Sequence, residues 1–190
     1  MLVVAVQDSI TRVFRAHAMD RLENYLAVEV LRDGHRVEIR ALRPSDRSAL
    51  ETAVDRTSPL SLYRRFFGVK KVFTEPEAHF FVDVDFKKHV ALVAVVDESA
   101  GEMIVGGGRY VLVGDKKAEI AFMLIDEYQG KGIGSMLLRH LTAIAKEAEL
   151  RQFVAEVLPE NTPMLKLFEK SGLHMSVQSE RGVTHVTLDL

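Results

Sequence analysis

Two costly features sit side by side in the stretch AEIAFMLIDEYQGKGIGSMLLRHL, residues 118–141: a lone carboxylate, Glu119, in an apolar run, and the closely spaced glycines Gly130, Gly132 and Gly134. A partly buried carboxylate gains basicity, which suits Glu119 to taking a proton near neutral pH. Glycines between a strand and a helix let the backbone approach a ligand closely, and the free N–H groups of the first helical turn favour phosphate. Together the two features point to chemistry rather than to packing. The structural alternatives are a strand-end carboxylate paired with Lys116 or Lys117, and a plain strand-to-helix turn.

Two better-known phosphate loops do not fit. A Walker loop needs a longer glycine spacing ending in Lys-Ser or Lys-Thr, which is absent from the chain. The dinucleotide fingerprint needs G-x-G-x-x-G, whereas QGKGIG gives G-x-G-x-G; Glu156 lies roughly where that motif places its acidic residue, so the reading stays as a minor alternative.

The elements around these residues must hold them in register. NYLAVEVLRDGHRVEIRAL reads as a hairpin turning at Asp33-Gly34, and RPSDRSALETAVD as a helix capped by Ser45 or Asp46. SPLSLYRRFFGVKK reads as a second helix ending at Gly68, and EPEAHFFVDVD as a third. Strands at 89–96, 102–113 and 118–125 joined by short turns form an antiparallel meander. Past the glycines, Ile133, Met136, Leu137, Leu141, Ile144 and Ala148 keep helical spacing. QFVAEVL is then a strand, NTPMLKLFEKSGL a helix with Asn161 as N-cap and Gly172 past its end, and HMSVQSERGVTHVTLDL a closing hairpin. The strand-helix-strand crossover from 118 to 158 implies one parallel pair in a mixed sheet. The expected organisation is a single α/β domain over 23–190, preceded by an extension at 1–22 in which Ile10, Val13 and Phe14 suggest a short docking helix.

Composition narrows the function. With 25 Lys+Arg against 27 Asp+Glu, nothing suggests a nucleic-acid surface. The absence of cysteine removes thiolate nucleophiles, disulfides and zinc-thiolate sites. The longest apolar run, VALVAVV at 90–96, is far below the ~20 residues of a membrane helix, and MLVVAV is too short for a signal-peptide core, so the expected setting is cytoplasmic with no membrane partner. His79 and His89 lack metal-ligand spacing, and no metal is expected. His140 falls near the apolar side of the long helix, packed or half exposed. GGGRY at 106–110 lies inside a strand pattern, where small residues more often permit close packing or a bulge than bind phosphate. The basic set Arg64, Arg65, Lys70 and Lys71 reads first as a solvated helix face, with contact to a phosphate or an acidic acceptor as the alternative.

QGKGIG between a strand and a helix resembles the Q/R-x-x-G-x-G/A signature of the GCN5-related N-acetyltransferases (GNAT superfamily), and NTPMLKLFEKSGL resembles that family's second motif, N-x-x-A-x-x-x-Y-x-x-x-G-F. The order of elements from about residue 36 onward is similar to that fold, a mixed, mostly antiparallel sheet flanked by helices with a splayed acyl-CoA cleft. IRALRPSD, SPLSLYRRFFG and AEVLPENTPMLKLFEKSGL extend the resemblance to bacterial protein lysine acetyltransferases that modify acyl-CoA synthetases. The resemblance implies acetyl-CoA as cosubstrate, its pyrophosphate held by the turn Gln129, Gly130, Lys131, Gly132, Ile133, Gly134 and Ser135. It implies further that the backbone of Met123, Leu124 and Ile125 pairs with the pantetheine arm, that Asn161 contacts the cofactor, and that Glu119, in an E-I-x-F context, is the catalytic base. The tyrosine that usually serves as general acid is replaced here by Phe168, and the motif's final Phe by Leu173. A CoA thiolate, with a thiol pKa near ~8.5, leaves with little help, so the change weakens the acid assignment more than the activity. Tyr110 and Tyr128 lie nearby in sequence without matching the motif.

The implied function is acetyl-CoA-dependent N-acetylation of a protein lysine by direct attack in a ternary complex, by a monomer or homodimer. A small amine is the alternative acceptor, and a non-catalytic acyl-CoA sensor the alternative class.

Overall fold

The continuous apolar run of HVALVAVV suits a strand covered on both faces. The computed structural model, which describes residues 22–68, 74–98 and 101–190, buries every residue of β3 (His89–Glu98) from His89 to Val96. The helix expected around Ile10, Val13 and Phe14, and the residues Lys70 and Lys71, lie outside the described residues. β2 (Arg36–Ala41) and β4 (Gly101–Gly114) flank β3, both antiparallel. The other strands, β1 (Leu26–Val30), β5 (Lys117–Leu124), β6 (Gln152–Val157), β7 (His174–Glu180) and β8 (Val183–Asp189), complete one sheet ordered β1-β2-β3-β4-β5-β6-β8-β7. All pairs are antiparallel except β5 with β6.

Each face of the sheet carries helices. Val90, Leu92, Ala94 and Val96 share one core with Ile133, Leu137, Leu141 and Ile144 of α4 (Ile133–Glu147). Ala91, Val93 and Val95 face the other way and pack with Leu42 and Ile104 against Ala49 and Leu50 of α1 (Arg47–Asp55). Two further short helices, α2 (Pro59–Phe66) and α3 (Glu75–Val82), precede the meander, and α5 (Thr162–Glu169) follows β6. Ala148, expected on the apolar stripe of α4, is exposed, because it lies at the C-cap where the helix has ended.

The glycines of GGGRY are packing glycines. A Cβ on Gly106 would lie 2.5 Å from the Met123 carbonyl oxygen, and one on Gly108 would lie 2.7 Å from the Phe122 ring. The register passes from Ala94↔Gly106 to Val95↔Ile104, so Val105 is the extra residue of a bulge adjoining the same segment. Two local details differ from the sequence reading. Helix α2 stops at Phe67, which itself adopts the left-handed conformation (φ 56°), not at Gly68. Asp46 does precede α1, but its carboxylate makes no cap bond to that helix.

Asp46 instead holds a buried cation. Arg40 Nη1 and Nη2 donate to its two oxygens at 2.7 and 2.9 Å, and the Arg43 N–H donates at 2.8 Å. Although burial opposes ionisation, these donors keep the carboxyl below its ordinary range. Both side chains are buried, so neutralising Asp46 replaces the bidentate partner of Arg40 with Glu38 alone, 3.7 Å from Nε. Asp46→Asn is therefore expected to lower unfolding stability by about 2–3 kcal/mol, measured by urea denaturation.

Candidate active site

Parallel pairing of β5 with β6 runs only through Lys117↔Gln152, Ala118↔Phe153 and Glu119↔Val154. Beyond Glu119 the two strands part, while β5 stays paired with β4 as far as Leu124 and β6 stays paired with β8. The wedge between them is part of a cleft of about 650 Å³, lined on one side by residues 119–124 and on the other by Ala155, Glu156 and Val157. That volume suits a small-molecule or cofactor site.

Backbone direction along β5 decides what the wedge offers, since alternate residues turn their N–H and C=O to opposite neighbours. The Lys116 carbonyl accepts from Arg151 and Gln152 on the β6 side, whereas the Ile125 N–H donates to Val105 on β4 at 3.0 Å. Ile120, Phe122 and Leu124 therefore present their peptide groups to the wedge. Of the three residues expected to pair with a pantetheine arm, Leu124 does face it. Met123 and Ile125 face β4, and the Ile125 carbonyl is also spent, on the Tyr128 N–H. Phe122, which sequence reasoning did not name, also faces the wedge, and strand alternation from Leu124 was the signal for it.

At the mouth of the wedge, Gln129 donates to the Leu124 carbonyl at 3.0 Å and to Ser61 Oγ at 3.1 Å. The turn is further tied to α2 by Asp126, which accepts from the Ser58 N–H, Ser58 Oγ and Ser61 Oγ, each at 2.8 Å. Gly130 and Gly132 take positive φ, 72° and 98°, and Gly132 is the N-cap of α4. The first intrahelical bond runs from the Met136 N–H to the Gly132 carbonyl, which leaves the N–H groups of Ile133, Gly134 and Ser135 without helical partners. Gly130, Gly132, Gly134 and Ser135 line the cleft; Ile133 anchors the turn in the core, and Lys131 lays its ammonium over the Tyr128 ring at 4.6 Å. Asn161, also lining the cleft, caps α5 through the Met164 N–H at 3.3 Å.

Glu119 stands at the root of the wedge, at the last β5–β6 pair. It is exposed rather than partly buried, because its side chain leaves the sheet on the face opposite the core residues Ala118 and Ile120. Among the described residues it forms no ion pair, with Lys116 and Lys117 included. Its negative charge acts on the Arg65 guanidinium. Arg64 and Arg65 are not a solvated face: both line the cleft, and Arg64 Nε is buried without a hydrogen-bond partner. Arg32, from the β1–β2 turn, lines it as well, a contribution invisible to local sequence reading.

No tyrosine among the four in the chain lines the cleft. Tyr110 is buried against Phe153 and pushed up to about 12 by that burial. Tyr128 is also pushed up to about 12, by burial and by its 2.7 Å hydrogen bond to Glu98. Phe168 is a core residue facing Phe122, with ring centroids 6.3 Å apart. Among the described residues no cluster of three or more His, Asp or Glu side chains could hold a metal, and no helix is long and apolar enough to cross a membrane.

The family model described as acetyltransferase (GNAT) family matches residues 56–173. An acetyltransferase of Pseudomonas aeruginosa is 32% identical over 154 residues, covering 80% of this chain and 83% of its own. Acetyltransferase Pat of Mycolicibacterium smegmatis is 32% identical over 162 residues, 84% of this chain and 47% of Pat, so the chain spans about half the length of that relative. Among solved structures, the crystal structure of the GNAT domain of S. lividans PAT superposes with a TM-score of 0.79 at 33% identity, over 87% of this chain and 97% of that one.

Proposed function

The chain belongs to the acetyltransferase (GNAT) family, and from that premise we propose that it acetylates a lysine side chain of a protein, of the acyl-CoA synthetase class, by direct attack in a ternary complex with acetyl-CoA. The observation that carries the reading is the parting of β5 and β6 immediately after Glu119. Five residue-to-residue steps of strand run from Glu119 to Leu124, about 17 Å, the scale of an extended pantetheine arm. With the pyrophosphate on the N–H groups at the start of α4 and the arm along the Phe122 and Leu124 peptides, the thioester arrives at the root, beside the carboxylate.

Each group then has one task. The glycine turn and the helix N-terminus hold the pyrophosphate, and the free peptide groups of β5 fix the arm in extended form. Glu119 takes the proton as the amine attacks the thioester carbon. Docking an acceptor over this exposed carboxylate removes its water, which strengthens it as a base. The C–S bond of the collapsing intermediate breaks to release thiolate, whose modest basicity makes a tyrosine acid dispensable. A core Phe168 is consistent with that economy. The kinship to two Pat-type proteins supports a protein acceptor.

Mass spectrometry of acyl-CoA synthetases incubated with the chain and acetyl-CoA tests the acceptor. Site-selective lysine acetylation is the expected result. Efficient acetylation of spermidine or an aminoglycoside with no protein labelled moves the acceptor to small amines.

A further inference from the structure

Arginines beside the site, Arg64 with its buried, unpartnered Nε among them, are held unlike the buried Arg40. Arg40 shows the structural pattern, with a bidentate carboxylate and near-complete burial. Arg65 and Arg109 have neither: each lies deep, only partly accessible, and among the described residues neither forms an ion pair within 4.0 Å. They also lie in each other's field and repel. Burial, reinforced by Arg65, brings Arg109 down to about 9, while burial alone lowers Arg65 against the pull of Glu119.

What partners they have are neutral. Arg109 Nη1 donates to the Phe81 carbonyl at 3.2 Å and meets His89 Nε2 at 3.1 Å, and its guanidinium lies 4.6 Å from the Phe81 ring centroid. Burial and then Arg109 itself push His89 down to about 4, so at neutral pH its ring accepts this bond and adds no charge. Arg65 has a ring contact with Phe66 and no hydrogen bond among the described residues. Arg65 and Arg109 are both among the residues lining a mostly apolar cavity of about 80 Å³, whose wall also includes Phe66, Phe81, Gly106–Gly108 and the charged pair Arg47 and Glu51. Arg65, Phe66, Ala121, Phe122 and Met123 line this cavity and the acyl-CoA cleft alike, so the two adjoin. A desolvated pair of like charges is costly unless a counter-charge completes it. A few waters' worth of space fits a carboxylate and its neighbouring methylenes, and a guanidinium fork matches carboxylate geometry.

We propose that Arg65 and Arg109 form a recognition site for a carboxylate carried by the acceptor near its reacting amine. This rests on the acetyl-transfer reading and names the acceptor's chemistry: an amine accompanied by an acid. The acid comes from an Asp or Glu flanking the lysine of a protein, or from a small amino acid.

The test is steady-state transfer at saturating acetyl-CoA with two matched acceptor pairs. One pair is a lysine peptide with Asp or Glu next to the lysine and the same peptide with Asn or Gln; the other is Nα-acetyllysine and its methylamide. Loss of the carboxylate is expected to lower kcat/KM at least tenfold in one pair, and which pair responds identifies the source. In Arg65→Gln and Arg109→Gln the ratio should collapse to about one. Glutarate, which carries no amine, should inhibit wild type competitively with the acceptor and not with acetyl-CoA. Equal rates within both pairs, a ratio that survives both substitutions, or glutarate competing with acetyl-CoA would each overturn the site. If either variant fails to fold, the wild-type ratios and the glutarate pattern decide alone. Turnover of the neutral member of each pair establishes acetyl transfer independently, so failure of the site and failure of the activity are separable.

Discussion

Glu119→Gln lowers kcat for acetyl transfer by about 10²–10⁴-fold and leaves acetyl-CoA affinity unchanged. The amide keeps the shape of the side chain at the root of the wedge, where β5 and β6 part, and cannot accept the ammonium proton. The loss should be in kcat and kcat/KM alike, the pattern of an interaction made only in the transition state. The pH–rate profile should lose its ascending acidic limb. Raising the pH should restore part of the rate, because more of the acceptor amine is then already neutral. A variant with wild-type rate at neutral pH, with chemistry shown to be rate-limiting, would return Glu119 to the role of a solvated strand-end carboxylate.

How much of this site was legible in the sequence depends on the range of the interaction involved. The glycine turn was legible because the positive φ of Gly130 and Gly132 and the helix that starts at Ile133 are local consequences of QGKGIG. The hairpin at Asp33-Gly34, the buried β3 and the meander follow from periods of alternating or continuous apolar residues. The insertion of β8 between β6 and β7 was not legible, since no local pattern says which edge a closing hairpin will join. Nor was the choice between odd and even residues of β5, because it depends on where pairing with β6 stops. Of the expected Met123, Leu124 and Ile125, that choice leaves Leu124 facing the wedge and turns the other two toward β4, with Phe122 beside Leu124. The arginines mark the limit most plainly. Arg64 and Arg65 read as charge on a short helix, and their depth arises only when α2 settles against β5 and Arg109 reaches the same cavity from β4. Phe67 is similar: a left-handed bulky residue is not chosen by local preference, and it lines the cleft, where surrounding structure sustains conformations that propensity opposes.

Gly132→Val weakens acetyl-CoA binding by about 10²–10⁴-fold, the loss of roughly two charge-assisted hydrogen bonds at about 1.5–3 kcal/mol each. The cause is conformational and steric together. Gly132 sits at φ 98°, a region that a β-branched residue enters only under strain, so valine reshapes the turn that aims the Ile133, Gly134 and Ser135 N–H groups. Nothing lies within 4 Å of a Cβ built there, so the added methyls meet no core atom and instead stand in the open space through which a pyrophosphate approaches. Gly134 supplies the contrast. It lies within α4 without positive φ, and its Cβ would rest 3.5 Å from Leu167 and 3.6 Å from Leu124, ordinary contact distances. Gly134→Ala should therefore fold normally and bind acetyl-CoA within about tenfold of wild type, while a larger side chain there collides with both leucines and closes the wedge. Titration calorimetry, with a thermal melt to verify folding, reads both variants. A folded Gly132→Val protein with wild-type affinity would remove the pyrophosphate from this turn, and the glycines would then serve only to carry the chain from β5 into α4.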